Sequence, residues 1–454
     1  MPTEQNTILE GKIFPPLIRF TIPLMLAILL QALYGAVDLI VVGKFGTTAS
    51  VSAVSNGSQV MHTVTGTITG LSMGITVLVG RFIGAKDHES AARTVGAGAK
   101  LFSVVAVIVT VALFALSRPI AKAMRIPEEA VGQTVAYLRI CSVGMVFIVA
   151  FNAVSGIFRG VGNSKSPLLF ITISCCINIV GDLILVGIFK LDAAGAAIAT
   201  VLAQAISVIF SLVKIKRGGL PFEVTRGDFK NSGRKLGEII KIGGPIAAEE
   251  GLVSVSFLIL MGIINTLGLV ASASIGIAEK LFLFLAIVPL SFMSGLSAFV
   301  AQNVGARQER RALQATRIAM GVSFCFGILM FLMTYFEGDL LAQCFEKNPA
   351  VIDATADYLR GVSGEYLLIP IVFCFLGYFN GVGKTRFVLI EGLVASFLVR
   401  IPLSYYFSRL PDTDLYTIAL AVPVSAMVSL IMCVGYFVFV RKERLKLNVS
   451  ARRE

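Results

Sequence analysis

The chain has no tryptophan, only two histidines and, over 454 residues, little charge: Asp, Glu, Lys and Arg together make up 15%. Soluble domains carry about 25%. With 56% hydrophobic residues and a mean hydropathy of +0.85, this scarcity excludes a water-soluble globule and points to a polytopic membrane protein. Without Trp, any aromatic belt at the membrane surfaces rests on Tyr and Phe. The two histidines, His62 and His88, leave no Ser–His–Asp arrangement and no His-based metal set. His88 reads as a solvated loop residue and His62 as a packed one. The seven cysteines include no CxxC pair. Cys141, Cys175, Cys176, Cys325, Cys374 and Cys433 lie in apolar stretches and read as small buried hydrophobes, with Cys344 alone near a loop. The net charge of +12 does not indicate nucleic acid, because the basic residues sit in short runs between apolar segments.

What the chain does have is hydrophobic length. Apolar segments fall at about 15–42, 50–80, 95–118, 131–158, 167–189, 194–213, 240–266, 271–300, 318–336, 358–380, 387–408 and 415–440. Each can cross a hydrocarbon core about 30 Å thick as a helix. This predicts an all-α polytopic membrane protein of about twelve transmembrane helices, with both termini on one side. Charge chooses the side. Connections after the even-numbered segments carry Arg81, Lys86 and Arg93; Arg159 and Lys165; Lys214, Lys216 and Arg217; Arg307, Arg310 and Arg311; and Lys384 and Arg386. The tail adds Arg441, Lys442, Arg444 and Lys446. Odd connections are sparse in Lys and Arg, apart from the loop at Arg118–Arg125. The balance predicts cytoplasmic termini. The polar stretch from Met1 to Lys12 reads as uncleaved.

The chain repeats itself. Phe158-Arg-Gly160-Val-Gly162 matches Phe379-Asn-Gly381-Val-Gly383, a shift of 221 residues (from 158 to 379). The same shift puts Tyr137-Leu-Arg139 on Tyr358-Leu-Arg360, Gly74 on Gly295, and Gly84-Ala-Lys86 on Gly305-Ala-Arg307. Pro23 and Pro245 correspond within one residue. Because the shift spans six segments, matching helices run the same way through the membrane. This is a parallel repeat about an axis along the membrane normal, with a central cleft expected between two six-helix lobes. The predicted domains are an N-lobe at 1–215, a cytoplasmic linker at 216–239 and a C-lobe at 240–454 with its basic tail.

Charge inside the apolar segments is rare, and an intramembrane acid is a functional candidate by default. In the first segment Gln31, Tyr34 and Asp38 fall at i, i+3 and i+7, one polar stripe on a helix. Asn178 and Asp182 share a face of the fifth segment, and Thr200 and Gln204 share one of the sixth. Counted at 1.5 Å per residue, Asp38, Asp182 and Thr200 lie at matching depth, roughly 10 Å from the outer face, so they can converge. Asn152 and Tyr137 on the fourth segment are further candidates. Two carboxylates in a low-dielectric site repel when both are ionised. Such a pair suits uptake of a proton or a bare cation, with Asn178 and Thr200 oxygens as help; apart from Na+ there, no metal is expected.

The second half has its own acids: Glu249, Glu250, Glu279 and Glu365, with Glu391 reading as solvated near the end of its helix. Pro23 and Pro245 fall inside apolar helices and are candidate hinges. Gly381-Val-Gly383-Lys384-Thr385 imitates the tail of a P-loop, but Tyr378 stands where the pattern needs glycine and a membrane helix precedes it. Nucleotide binding is excluded.

On the 6+6 repeat, Pro23, Tyr34 and Asp38, the run Asn178-Ile-Val-Gly-Asp182 and the Arg-Gly-Val-Gly-Asn-Ser turn at 159–164, the chain resembles the multidrug and toxic compound extrusion (MATE) family over nearly its whole length. The resemblance implies two six-helix bundles around a V-shaped cavity, and efflux of organic compounds in exchange for H+ or Na+. In that family the residues matching Asp38, Tyr34, Asn178, Asp182 and Thr200 are implicated in cation coupling. The NorM-like branch has acids on the seventh and tenth segments, which Glu249 or Glu250 with Glu365 would match. The family also bends its first helix during the cycle. Wider relatives flip lipid-linked oligosaccharides, so a flippase is the alternative; its cavity should be basic, whereas the intramembrane charges here are mainly acidic, Arg400 excepted. The expectations are a non-enzyme without cofactor, a monomer, small organic substrates, and a multi-pass place in a bacterial inner (plasma) membrane.

Overall fold

The computed structural model describes residues 8–450 except 125, 231–232 and 412, with side chains up to 439. The stretch 1–7, Arg125 and the basic side chains Arg441, Lys442, Arg444 and Lys446 lie outside the described residues.

Every regular element among the described residues is a helix. The first repeat comprises α1 (Phe14–Phe45), α2 (Thr48–Gly84), α3 (His88–Ala123), α4 (Glu128–Val143), α5 (Met145–Val161), α6 (Lys165–Asp182) and α7 (Asp192–Lys214). A short α8 (Arg226–Lys230) lies in the linker. The second repeat comprises α9 (Gly233–Asn265), α10 (Leu269–Leu285), α11 (Ile287–Gly305), α12 (Glu309–Phe336), α13 (Gly338–Gln343), α14 (Pro349–Val362), α15 (Glu365–Gly381), α16 (Thr385–Leu393), α17 (Ile401–Phe407), α18 (Leu415–Ala419) and α19 (Ala421–Ser450). Local chemistry sets the ends. Thr47 and Ser50 cap α2 reciprocally, and Asp87 accepts from the Ser90 amide at the start of α3.

Ten of the described helices are long and apolar enough to span a membrane, and up to twelve spans result when each of two bent pairs counts as one. On α3, Val104, Val107, Ile108 and Val111 form a stripe in which each residue is at least 57% exposed. No helix bathed in water would present that face; lipid accepts it.

Four predicted continuous segments are broken. The fourth is α4 and α5, bent by 52° at Gly144, and the tenth is α14 and α15, bent by 50°. The eighth breaks at Ala286 and the twelfth at Leu420. At Gly144 a side chain would run into Val201 of α7, so packing and not a proline decides the bend. Three π-helical turns occur among the described residues. Leu183–Ile188 follows Asp182 directly, Ile215–Gly219 follows α7, and Val394–Arg400 joins α16 to α17.

The repeat is a physical symmetry as well as a textual one. A Cβ on Gly84 would strike the Gln302 carbonyl, and one on Gly305 would strike the Arg81 carbonyl. Both pairs are exchanged by the 221-residue shift, so α2 and α11 cross backbone to backbone at glycines of each repeat. The surrounding hydrogen bonds obey the same exchange. Arg81 Nη2 donates to the Gly381 carbonyl at 3.3 Å, and Gln302 Nε2 donates to the Gly160 carbonyl at 2.8 Å. The P-loop look-alike is one of these turns: Gly383, at φ +70°, sits under the Arg81 guanidinium.

Packing groups the chain into two compact units. The first holds the chain up to Gly251 with Ser294–Ala315 and Asn380–Thr385. The second holds Leu252–Met293, Thr316–Phe379 and the chain from Arg386 onward. The ends of α11 and α15 that carry the repeated glycines thus pack with the first repeat. Arg311 also belongs to the first unit, where it donates to the carbonyls of Ile8 at 2.9 Å, Glu10 at 2.9 Å and Gly11 at 2.6 Å. This clamp holds the segment before α1, and Ile8 is buried beside Gly162.

Candidate functional site

In the first unit α6 packs against both α1 and α7. That arrangement brings together Tyr34 and Asp38 from α1, Asn178 and Asp182 from α6, and Thr200 and Gln204 from α7. Asp38 faces Asp182 and Asn178, and Tyr34 faces Thr200. Tyr137 and Cys141 of α4 close the other side, next to Tyr34 and Asp38. The two aspartates and Asn178 are buried. Asp182 is the last residue of α6, where the helix widens into its π turn. Such turns re-aim side chains and recur at functional sites.

The proximity does not saturate the polar groups. Tyr34 Oη, Asp38 Oδ1, both carboxylate oxygens of Asp182, both amide atoms of Asn178, Thr200 Oγ1 and Gln204 Oε1 are all buried without a closed hydrogen bond. Buried polar atoms are ordinarily paired, so this density of unclaimed oxygens is unusual. Two carboxylates, an amide and hydroxyls around one point match the needs of a shared proton or of a small hard cation.

Other candidates stay apart. Gln31 is exposed on its face of α1. Asn152 lies beyond the Gly144 bend, where its side chain accepts from Thr69 at 2.8 Å and donates to the Ile148 carbonyl at 2.9 Å. His62, expected to be packed, is exposed within the chain. Pro23 is buried within a continuous α1, and Pro245 is half-buried within α9.

In the second unit a different cluster forms. Glu365 begins α15, directly after the 50° bend, and is buried. Tyr358 of α14 neighbours Glu365, Glu279 and Arg400. Arg400 neighbours Glu365, Tyr358 and Glu391. Glu391, expected to be solvated, is instead 2% exposed and accepts from the Ser429 hydroxyl of α19, which packs across the π turn. Glu249 and Glu250 are half-buried on α9 and belong to the first unit. The sequence reading missed Arg400, Glu391, Ser429 and Tyr358 as one group. The available signal was the rarity of charge in the eleventh segment, which carries both Glu391 and Arg400. Among the described residues no three His, Cys, Asp or Glu side chains are grouped to hold a metal ion.

Known proteins resemble this chain over its full length. The MatE family model matches residues 23–184 and 245–406, one stretch per repeat. A probable multidrug resistance protein of Bacillus subtilis (strain 168), YpnP, is 23% identical over 400 residues, covering 88% of this chain and 89% of that protein. Multidrug export protein MepA of Staphylococcus saprophyticus subsp. saprophyticus is 23% identical over 393 residues, covering 85% and 86%. Among solved structures, a MATE in the bent conformation matches with TM-score 0.91 at 22% identity, over 100% of both chains. A MOP superfamily transporter from Pyrococcus furiosus Vc1, described as having a binding pocket of reverse polarity, matches with TM-score 0.90 at 21% identity, again over 100% of both.

Proposed function

The chain belongs to the MatE family, and from that premise we propose that it is a secondary active exporter of organic, amphipathic and often cationic compounds, driven by antiport with H+ or Na+. The observation that carries this reading is the Asp38–Asp182 pair with its unclaimed oxygens. Two ionised carboxylates side by side in a dry interior are costly. A proton shared between them, or a sodium ion held with Asn178 and Thr200, relieves that cost. Tyr34 orients Asp38 from the same helix. Pro23 lacks an amide hydrogen, so α1 is softest there, and Pro245 plays the same part in α9. Cation binding at Asp38 favours one shape of the transporter and substrate favours the other. Reciprocity then makes each weaken the other's binding, which is the requirement for exchange. Glu365 and Glu279 in the second unit, and separately the Glu249–Glu250 pair in the first, are candidate acids for substrate or for a second cation.

The transporter works as a monomer without organic cofactor, in a bacterial inner (plasma) membrane with cytoplasmic termini. The test is a vesicle assay with purified protein, a fluorescent cationic dye and an imposed H+ or Na+ gradient. Wild type should exchange dye under one of the two gradients, and Asp38→Asn should slow that exchange by about a hundredfold, since it removes the charge on which coupling depends. Exchange by Asp38→Asn at the wild-type rate would sink the coupling assignment.

A further inference from the structure

Arg400 ends the π turn Val394–Arg400 in the second unit and is 8% exposed. Phe257 of α9 stacks under its guanidinium, 4.7 Å from the ring centre. Nη2 has one long contact, 3.5 Å to the Ser396 hydroxyl. Nε and Nη1 have no partner, and neither does the buried Ser404 hydroxyl one turn further on. Glu365 and Glu391 are near enough to act on the charge, yet no carboxylate closes on Nε or Nη1. A guanidinium presents two forks, Nε with Nη2 and Nη1 with Nη2, each matched to a carboxylate. Here both forks have a free donor. Keeping such a charge in a membrane interior is expensive unless a partner arrives.

From Phe257 the rings continue inward. Phe257 and Phe282 are 6.3 Å apart, and Phe282 and Tyr366 are 6.4 Å apart. Phe282 and Tyr366 line an apolar cavity of about 110 Å³ with Phe326, Met330, Ile369 and Pro370. Tyr366 is the neighbour of Glu365 in sequence. The unit therefore brings near one another an aromatic-lined cavity, an acid beside Tyr366 and a cation with open donors beside that acid.

We propose that Arg400 binds a carboxylate on the transported compound while Glu365 takes its basic nitrogen, so that the second unit selects amphiphiles bearing both an acid and an amine. This rests on the export reading above. Stacking on Phe257 fixes the plane of the guanidinium and leaves its edges free, and the rings accommodate the apolar body of the ligand.

A matched dye pair tests it: a zwitterionic xanthene with a free carboxylate, and its methyl ester, a plain cation. Binding to the purified full-length protein is read by fluorescence polarisation, independently of transport. Wild type should bind the acid more tightly than the ester. Arg400→Met should cut the acid-to-ester affinity ratio about tenfold or more, one bidentate ion pair's worth. Glu365→Gln should weaken both dyes. A ratio unchanged in Arg400→Met, as expected if Arg400 only props up Glu365, overturns the proposal, as does a wild type that binds neither dye or prefers the ester. Should Arg400→Met fail to fold, Arg400→Lys decides: it keeps the charge without the fork, and a wild-type ratio there overturns the assignment. Vesicles that exchange neither dye under either gradient, while the binding ratio behaves as stated, reject the export reading and leave the site standing.

Discussion

Aspartates do two opposite jobs in this protein. Asp38 and Asp182 are buried side by side, and Asp38 Oδ1 and both Asp182 oxygens lack a closed hydrogen bond, a destabilising arrangement that the proposed proton or cation would relieve. Asp414 is an ordinary cap. Its carboxylate accepts from the Thr417 amide at 2.8 Å as α18 begins, and the Thr417 hydroxyl and amide hold it below the usual carboxylate range. A depressed folded value means that the stabilisation is fully present above the unfolded value of about 3.9 and fades as pH falls through the lower folded one. Asp414→Ala should therefore cost about 0.5–1 kcal/mol at neutral pH, discounted for exposure, and almost nothing near about pH 3. Thermal unfolding at the two pH values checks this; an equal deficit at both would show that the carboxylate's charge is irrelevant. The residue scale also shows where sequence reading works. Asp38, Asp182 and Thr200 could be paired by depth alone, since rise per residue is a constant of the helix. Arg400 and Glu391 could not, because their meeting with Phe257 and Ser429 depends on helices far away in sequence.

At the scale of elements, the breaks in the helices matter more than the helices. The bend between α4 and α5 separates Tyr137, which neighbours Tyr34 and Asp38, from Asn152, which pairs with Thr69. Gly144 permits it by leaving room for Val201. Gly144→Ala should destabilise the protein by about 1–3 kcal/mol through overpacking, and Gly144→Ala with Val201→Ala should recover most of that loss. Simple additivity of the two substitutions in thermal unfolding would mean that the Val201 contact does not set the bend. The existence and order of the segments were legible because a run of about twenty apolar residues is a local property. The bends and π turns were not, because no proline marks Gly144 or Asp182 and a lone polar residue does not by itself change the course of a helix. Contacts with neighbouring helices decide whether the backbone continues straight.

For the whole molecule, the 221-residue repeat and the packing do not share a boundary. Gly84 and Gly305, with Arg81 and Gln302, join both repeats inside the first unit through contacts that the repeat exchanges. Orientation in the membrane is testable with a native residue. Cys344 is exposed just after α13, on the side predicted to face outward, whereas the other exposed thiols, Cys176 and Cys325, lie within apolar helices. A membrane-impermeant maleimide should label Cys344 in intact cells, and Cys344→Ser should abolish the signal; labelling that requires broken cells would invert the topology. The sequence by itself determined that this is a twelve-segment membrane protein built as a parallel repeat, with an acid pair in its first half. Transfer from water to lipid is additive along the chain, and a fixed shift can be read directly from it. Only the tertiary structure decided which way each helix turns. In a membrane the face against lipid and the face against protein are both apolar, so hydrophobic periodicity does not distinguish them. Whether a polar side chain meets partners, as Asp38 does, or keeps open donors, as Arg400 does, follows from that rotation. The stripe on α1 and the guanidinium beside Phe257 therefore had to be located by packing.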